Sequence, residues 1–342
     1  MPERVAIVRL SAIGDVVHGL PLAGSLRRTH PAAEITWITQ AGPAPLLEDH
    51  PWVDRVMIYP RRSGAAAAAR FVAALPRERF DLAIDAQGNM KSGLVLAGTG
   101  APRRVGLARA EYRERLGAFA ASEHAAPADG PHSVDRTLAL ARHLGDPDPK
   151  PDFGLAPTEA ERHRAEDDLA GLERPLVAIS VGATDDVREW PDEHYVATIR
   201  RLVERGVTPL LLSGPAHRSR CEELARATGA AARAGTTDLR GLLAHLSVLA
   251  STGPAVLLAC DSAPLHIATA VGLPVVALSG PQDPARTGPY GHGDSAITAW
   301  DGLDCAPCRK RKCRLGEEPL ACMAHIEPAM VADRILARIG GA

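Results

Sequence analysis

Short unbroken apolar runs alternate along this chain with longer stretches in which apolar positions recur at helical spacing. The runs at 4–10, 34–39, 53–59 and 80–86 read as strands, and the Ala-rich stretch 64–76 between two of them reads as a helix. The alternation pauses at Gly145 to Pro151, where three prolines in seven residues cannot continue a helix and read as a stiff linker. It then resumes, with strands expected at 175–181, 207–213, 255–260 and 273–279 and helices at 192–205, 216–228, 238–250 and 264–271. Helical spacing returns from Pro328 to Ile339. Alternation of this kind predicts βαβ units and parallel sheets. The expected class is therefore α/β, with two doubly wound, Rossmann-like domains at 1–150 and 151–327, and a C-terminal helix in 328–342. In such sheets ligands bind beyond the carboxyl ends of the strands, so chemistry is expected in the loops after them.

Length supports two domains, since 342 residues divide into halves that can each bury a core. Hydrophobic residues make up 46% and charged residues 23%, while aromatics are scarce at 4%, so the cores must be built from Ala, Val, Leu and Ile. A net charge of -2 argues against a whole-surface nucleic-acid footprint and leaves room for a local basic cleft. No stretch reaches the roughly 18 apolar residues of a membrane helix. The opening run Arg4 to Leu10 reads as a buried strand rather than a signal peptide, which makes the cytoplasm the expected compartment, with contact to the inner membrane only at its periphery.

Four loops carry candidate chemistry. After the first strand comes Ser11 to His18, in which Gly14 and Asp15 stand where the strand hands over to a helix. A carboxylate there can accept a proton from an attacking hydroxyl, and it can equally serve as a helix N-cap. This loop lacks a G-x-G-x-x-G fingerprint, which disfavours a dinucleotide-dependent dehydrogenase. The loop Asp85 to Ser92 also follows a strand and opens a helix, and its Lys91 either reaches an anion or is a solvated side chain. In the second half, Val181 to Pro191 contains Thr184 and Arg188, which can hold phosphate oxygens. The alternative there is a surface arginine beside a packed Trp190. Finally, Asp261, Ser262, Ala263 and His266 lie where a strand turns into a helix that carries Pro264 at its first position. Free amides at such a helix start favour a pyrophosphate, and Asp261 can accept from sugar hydroxyls. His266 alone would more often be a core or capping histidine.

Cysteines add one further feature. Cys221 and Cys260 sit in apolar surroundings and read as small core residues, whereas Cys305, Cys308, Cys313 and Cys322 fall within eighteen residues. Four thiols so placed can bind a structural zinc; reduced or disulfide-paired thiols are the alternative. The basic residues Arg309 to Lys312 and Arg314 between them read as a solvated face, with lipid phosphates as the other reading. The Asp-x-Asp signature of metal-dependent sugar transferases occurs only at Asp146-Pro147-Asp148, in the linker, so no divalent metal is expected at the reaction centre.

Taken in order, these segments resemble glycosyltransferase family nine, the ADP-heptose:lipopolysaccharide heptosyltransferases. The resemblance rests on Ser11 to His18, Asp85 to Gly88 with Lys91-Ser92, Trp190-Pro191, Asp261 to His266, and Gly280 to Pro284 with Tyr290-Gly291. It implies a GT-B fold, with the two sheets facing across a cleft. It also implies an inverting, metal-independent transferase that requires no cofactor and moves heptose from ADP-heptose onto the lipopolysaccharide inner core or a lipid A–Kdo acceptor. Residue by residue, it implies Asp15 as catalytic base. Thr184 and Arg188 fall to the donor phosphates, with Arg188 at a position that the family usually fills with Lys. Asp261, Ser262, Ala263 and His266 form the donor sugar and pyrophosphate loop, while Arg61, Arg62, Lys91, His132 and Arg136 are on the acceptor side. A family Glu that contacts the donor ribose has no acidic counterpart near Ala232 to Gly235. The cysteine cluster is similar to that of enzymes adding a later heptose, whereas the Asp85 and His132 segments are similar to the first-heptose enzyme. Competing readings are a transferase using another nucleotide sugar or a protein acceptor, and a non-catalytic sugar-nucleotide-binding protein.

Overall fold

The computed structural model describes residues 2–183, 186–234, 238–316 and 319–340. The chain divides into two compact units, Met1–Leu155 and Ala156–Ala342. Residues 151–155 thus go with the first unit and the C-terminal helix with the second.

The first unit contains the strands β1 (Arg4–Val8), β2 (Glu34–Thr39), β3 (Arg55–Ile58), β4 (Leu82–Asp85), β5 (Arg103–Gly106) and β6 (Glu123–His124). Its helices are α1 (Ile13–Thr29), α2 (Gly64–Ala74), α3 (Met90–Gly98) and α4 (Ser133–His143). The strands form one sheet in the order β3-β2-β1-β4-β5-β6, and every pair is parallel. Because a parallel sheet is covered on both faces, β1 is apolar from Val5 to Val8. Ala6 and Val8 join Val95 and Leu96 of α3 in one cluster. Val5 and Ile7, equally buried, point the other way. α1 and α4 pack together, and twelve of the seventeen residues of α1 are buried.

The second unit repeats the plan. Its strands are β7 (Leu176–Ser180), β8 (Thr208–Ser213), β9 (Ala231–Ala234), β10 (Ala255–Cys260), β11 (Val275–Leu278) and β12 (Ala296–Ile297). Its helices are α5 (Glu159–Leu169), α6 (Asp192–Val203), α7 (Arg218–Thr228), α8 (Leu239–Ser251), α9 (Ala263–Ala270), α10 (Pro284–Thr287), α11 (Ala321–Ala324) and α12 (Pro328–Gly340). The parallel sheet runs β12-β11-β10-β7-β8-β9, which is the first unit's order read from the opposite edge. Val177 and Ile179 of β7 and Val256 and Leu258 of β10 pack with Trp190, Tyr195 and Ile335 in the core beneath α6 and α12. The Trp190 ring nitrogen donates to the Ile326 carbonyl at 3.1 Å, which ties the loop before α6 to the segment before α12.

Each sheet therefore has a point where successive connections depart in opposite directions. It lies between β1 and β4 in the first unit and between β7 and β10 in the second, and ligands of open α/β sheets bind at such switch points. On the opposite side of the second sheet, α5 is held to α8 by Arg240, whose Nε and Nη2 donate to Glu161 at 2.8 and 2.6 Å. This pairing, together with the Thr158 cap, pulls the Glu161 carboxyl down to about 2. A depressed carboxylate stabilises the fold above its unfolded value near 4.5 and loses that contribution as pH falls toward its folded value. Urea unfolding of wild type and Glu161→Gln should therefore differ by up to about 3 kcal/mol at pH 6, and the two curves should converge as pH approaches 2. A pH-independent difference would show that the ionised pair does not clamp α5.

Candidate active site

The first switch point is organised by a buried cation. Arg9, only 5% exposed, follows β1, and its backbone continues the ladder by donating to Ile38 at 3.2 Å. Its guanidinium donates to the Ala86 carbonyl beyond β4, to Ser133 Oγ at 2.8 Å and to Asp15 Oδ1 at 3.3 Å. Burial pulls the Arg9 pKa down, while Asp15 and Asp85 push it back up. Arginine starts so high that the group stays charged.

Asp15 is the third residue of α1, and Ala12, not Asp15, holds the cap position. Its Oδ2 accepts from the Ala12 amide at 2.8 Å, so the carboxylate closes back over the helix start where the macrodipole favours negative charge. Both oxygens are oriented, yet the side chain is 43% exposed, so a substrate can reach it.

The neighbouring loop is cross-tied to this one. Gln87 Oε1 accepts from the Leu10 amide at 2.7 Å, and its Nε2 donates to the Ser11 carbonyl at 2.5 Å. Asp85, fully buried, accepts from the Gln87 and Gly88 amides at 2.9 and 3.0 Å and from Ser92 Oγ at 3.1 Å. Burial outweighs these donors and pushes the Asp85 carboxyl above the ordinary range. Gly88 turns the loop at φ +75°, where a Cβ would also meet Leu107 Cδ1 at 2.9 Å.

The expected acceptor residues are distributed over this unit. His132 is buried as the cap of α4, where its Nδ1 accepts from the Val134 amide at 3.1 Å, and its ring stands edge-on to His18 at 5.0 Å. It is adjacent to Ser133 and so belongs to the Arg9 cluster. Arg136 is half-buried one turn further along α4. Arg61 and Arg62 are exposed in a 3-10 turn after β3, with Arg61 donating to Gln40 Oε1 at 3.3 Å. Lys91 is exposed at the start of α3.

The second switch point gathers three of the expected donor residues. Arg188 Nη1 donates to the Asp261 carbonyl at 3.0 Å and lies 3.3 Å from Asp261 Oδ2. His266 Nε2 lies 3.3 Å from Asp261 Oδ1. Arg188 comes from the loop after β7, whereas Asp261 and His266 come from the turn after β10 and from α9, so the cluster spans the switch. All three are at most 23% exposed at the side chain, so their charges act through protein rather than bulk water. Ser262 caps α9 by backbone position while its hydroxyl turns back to the Cys260 carbonyl at 3.2 Å, and Pro264 occupies the second helical position, one later than expected. The amides of Ser262 and Ala263 stand at the helix start, where intrahelical acceptors are lacking. Thr184 lies outside the described residues.

Residues 68–318 match glycosyltransferase family 9 (heptosyltransferase). The chain is 30% identical to lipopolysaccharide heptosyltransferase 1 of Pseudomonas aeruginosa, over 98% of both proteins. The chain belongs to glycosyltransferase family 9. It is therefore a glycosyltransferase, and solved family structures share its fold. A family 9 transferase from Veillonella parvula superposes with a TM-score of 0.79 at 20% identity, covering 99% of this chain and 98% of that one. The Escherichia coli heptosyltransferase WaaC, solved with ADP-2-deoxy-2-fluoro heptose, gives 0.72 at 23%, covering 98% and 99%.

Within this family 9 chain, several organising residues escaped sequence reasoning. Arg9 looked like the end of an apolar strand. A cation inside such a run is itself a signal, since arginine is almost never fully buried without a partner. In the second unit His217, from the turn after β8, donates from Nε2 to the Ala183 carbonyl at 3.1 Å, and its ring fills the space beside Gly182. Arg220 links Glu189, Asp192 and the Trp190 carbonyl, each at 2.6 Å, and so braces the loop that presents Arg188. Of the C-terminal thiols, Cys322 is buried and its pKa is pushed up to about 11 by burial and by the neighbouring Cys308, Cys305 and Cys313. All six cysteines are free. Among the described residues no set of three or more metal-ligating side chains is arranged to hold an ion. As placed, the four thiols are neighbours without forming a coordination cage.

The Arg9 cluster makes a testable demand on stability. Arg9→Met removes the cation opposite two carboxylates and should cost about 3–5 kcal/mol in urea unfolding at pH 7. Adding Asp85→Asn should recover part of that loss, because a neutral amide needs no countercharge. Strict additivity of the two substitutions would show that Arg9 and Asp85 are not coupled.

Proposed function

We propose that this chain transfers a heptose from ADP-heptose to the inner core of lipopolysaccharide, with inversion and in a single displacement. The observation that carries the reading is the Asp15 carboxylate. It stands at the first switch point, oriented by Arg9 and the Ala12 amide, and it remains open to substrate. The match over nearly the whole length of a lipopolysaccharide heptosyltransferase 1 supports the substrate pair.

In this reading Asp15 accepts the proton of an acceptor hydroxyl as its oxygen bonds to the anomeric carbon. The bond from that carbon to the ADP oxygen breaks in the same step, and the electron pair leaves with ADP. Negative charge grows on the departing phosphate, and Arg188 with the amides at the start of α9 is suited to receive it. Asp261 and His266 are placed to contact the donor sugar and pyrophosphate. On the first unit Arg61, Arg62, Lys91, His132 and Arg136 are the candidates for holding an acidic acceptor. No step calls for a cofactor, and a structural zinc on Cys305, Cys308, Cys313 and Cys322 would serve the fold of their segment rather than the transfer. No helix of the described residues is long and apolar enough to cross a membrane. We assign the work to the cytoplasmic side, where a nucleotide sugar is supplied.

Purified protein should add the mass of one heptose to an acceptor ending in Kdo, or to one already carrying a heptose, when given ADP-heptose. The acceptor that reacts identifies the step, and ADP binding with no product from either would point to another sugar or a binding role. Asp15→Asn should lower turnover by roughly 10²–10⁴-fold while ADP affinity stays near wild type; wild-type turnover would exclude Asp15 as base. Arg188→Ala should weaken ADP by about 10–100-fold in calorimetry, and unchanged affinity would remove Arg188 from the donor site.

A further inference from the structure

Seven large hydrophobic side chains are exposed among the described residues, and four of them, Met90, Leu94, Leu116 and Phe119, lie on two adjoining elements of the first unit. Leu94, Leu116 and Phe119 are 63%, 67% and 73% exposed, more than any of the other four. Leu94 is on α3, and the other two are on a 3-10 turn at Arg115–Ala120 that packs directly against it. In a chain with only four phenylalanines, leaving one almost wholly in water forgoes much of the largest burial gain available.

The two elements are joined backbone to backbone. A Cβ on Gly117 would come within 2.5 Å of the Asn89 carbonyl oxygen, and one on Gly93 within 2.7 Å of that of Gly117. The apolar side chains are therefore carried on a stiff plate rather than on a loose loop.

Three exposed arginines against two acids leave the surroundings of the plate positive. Arg109, Arg113 and Arg115 are exposed, and none has a carboxylate within ion-pair distance among the described residues. The Arg109 guanidinium lies over the Phe119 ring, 5.9 Å from its centre. The two nearby acids, exposed Glu114 and half-buried Glu111, each accept from a backbone amide. Glu114 accepts from Met90 at 2.9 Å and Glu111 from Ala128 at 3.0 Å. Exposed Phe and Leu ringed by unpaired arginines is the composition that enters the headgroup boundary of a negatively charged bilayer.

We propose that the face formed by α3 and residues 115–120 docks on an anionic lipid surface, with Leu94, Leu116 and Phe119 entering the acyl boundary and Arg109, Arg113 and Arg115 meeting lipid phosphates. The plate grows from the Asp85 to Ser92 loop, through Ser92 to Asp85, and so adjoins the first switch point. Docking would therefore bring that site to the plane of a lipid-borne acceptor. This last consequence rests on the acceptor proposed above, whereas the docking itself does not.

The test is cosedimentation of the full chain with vesicles, in the absence of any acceptor. Wild type should bind phosphatidylcholine vesicles containing phosphatidylglycerol, bind pure phosphatidylcholine weakly, and release as salt is raised. Leu116→Asp with Phe119→Asp should reduce the bound fraction about tenfold or more. Arg113→Ala with Arg115→Ala should reduce it several-fold and flatten the salt dependence. Both double variants should keep the wild-type unfolding midpoint and ADP affinity. Absence of wild-type binding to anionic vesicles, or equal binding by wild type and both variants, would overturn the proposal. So would a wild-type dimer in sedimentation velocity that the Asp variant dissociates, since a second copy would then own the face. Failure of heptose transfer would leave the vesicle result unaffected, so the two readings fail separately.

Discussion

A single guanidinium ties together the loops at the first unit's switch point. Arg9 bonds at once to the carbonyl after β4, to the first residue of α4 and to the carboxylate on α1. β1 already pairs with β4 and α1 with α4, and Arg9 cross-links the loops at the point where they meet. A neutral side chain of the same length would leave Asp15 held by the Ala12 amide alone. It would also remove a positive charge whose field reaches the buried Asp85.

The second unit solves the corresponding problem with the same residue type in a different setting. Its cation enters from a loop after the strand rather than from the strand's own end, and it is braced from behind by Arg220 through Glu189. Both arrangements sit at the switch point of a sheet with the same strand order. The family relationship accounts for the shared plan, and geometry accounts for where the polar residues collect: beyond the carboxyl ends of the strands, loops diverge and leave amides and side chains without partners in the sheet.

Much of this was legible in the chain itself. Eight strands were marked by unbroken apolar runs because a parallel sheet covered on both faces tolerates little else. The four missed strands, β5, β6, β9 and β12, are edge or near-edge elements of two to four residues, and RRVG and AARA carry too little apolar signal to stand out. Asp15, Arg188, Asp261 and His266 stood out as candidates because each follows a strand in a loop of recognisable composition, and the last three do come together in space. His132 was found by resemblance, but its duty as a helix cap was not visible, because the donor it accepts from is a backbone amide. Arg9 and His217 were missed for a related reason. Their roles depend on what lies across the fold, and nothing within several residues of either announces it.

The Arg188–Asp261 pair carries a consequence for selectivity. On the donor reading proposed above, Asp261 acts as an internal anion on the guanidinium that a phosphate would claim. Association there is then an exchange rather than a simple addition, and only the difference between the incoming and the resident anion appears as affinity. A lone chloride or inorganic phosphate gains little by such an exchange. A diphosphate that also reaches the amides of α9, and whose sugar hydroxyls give the released Asp261 new donors, gains on every side. On that reading the site disfavours the small anions that crowd a cell, without any physical gate.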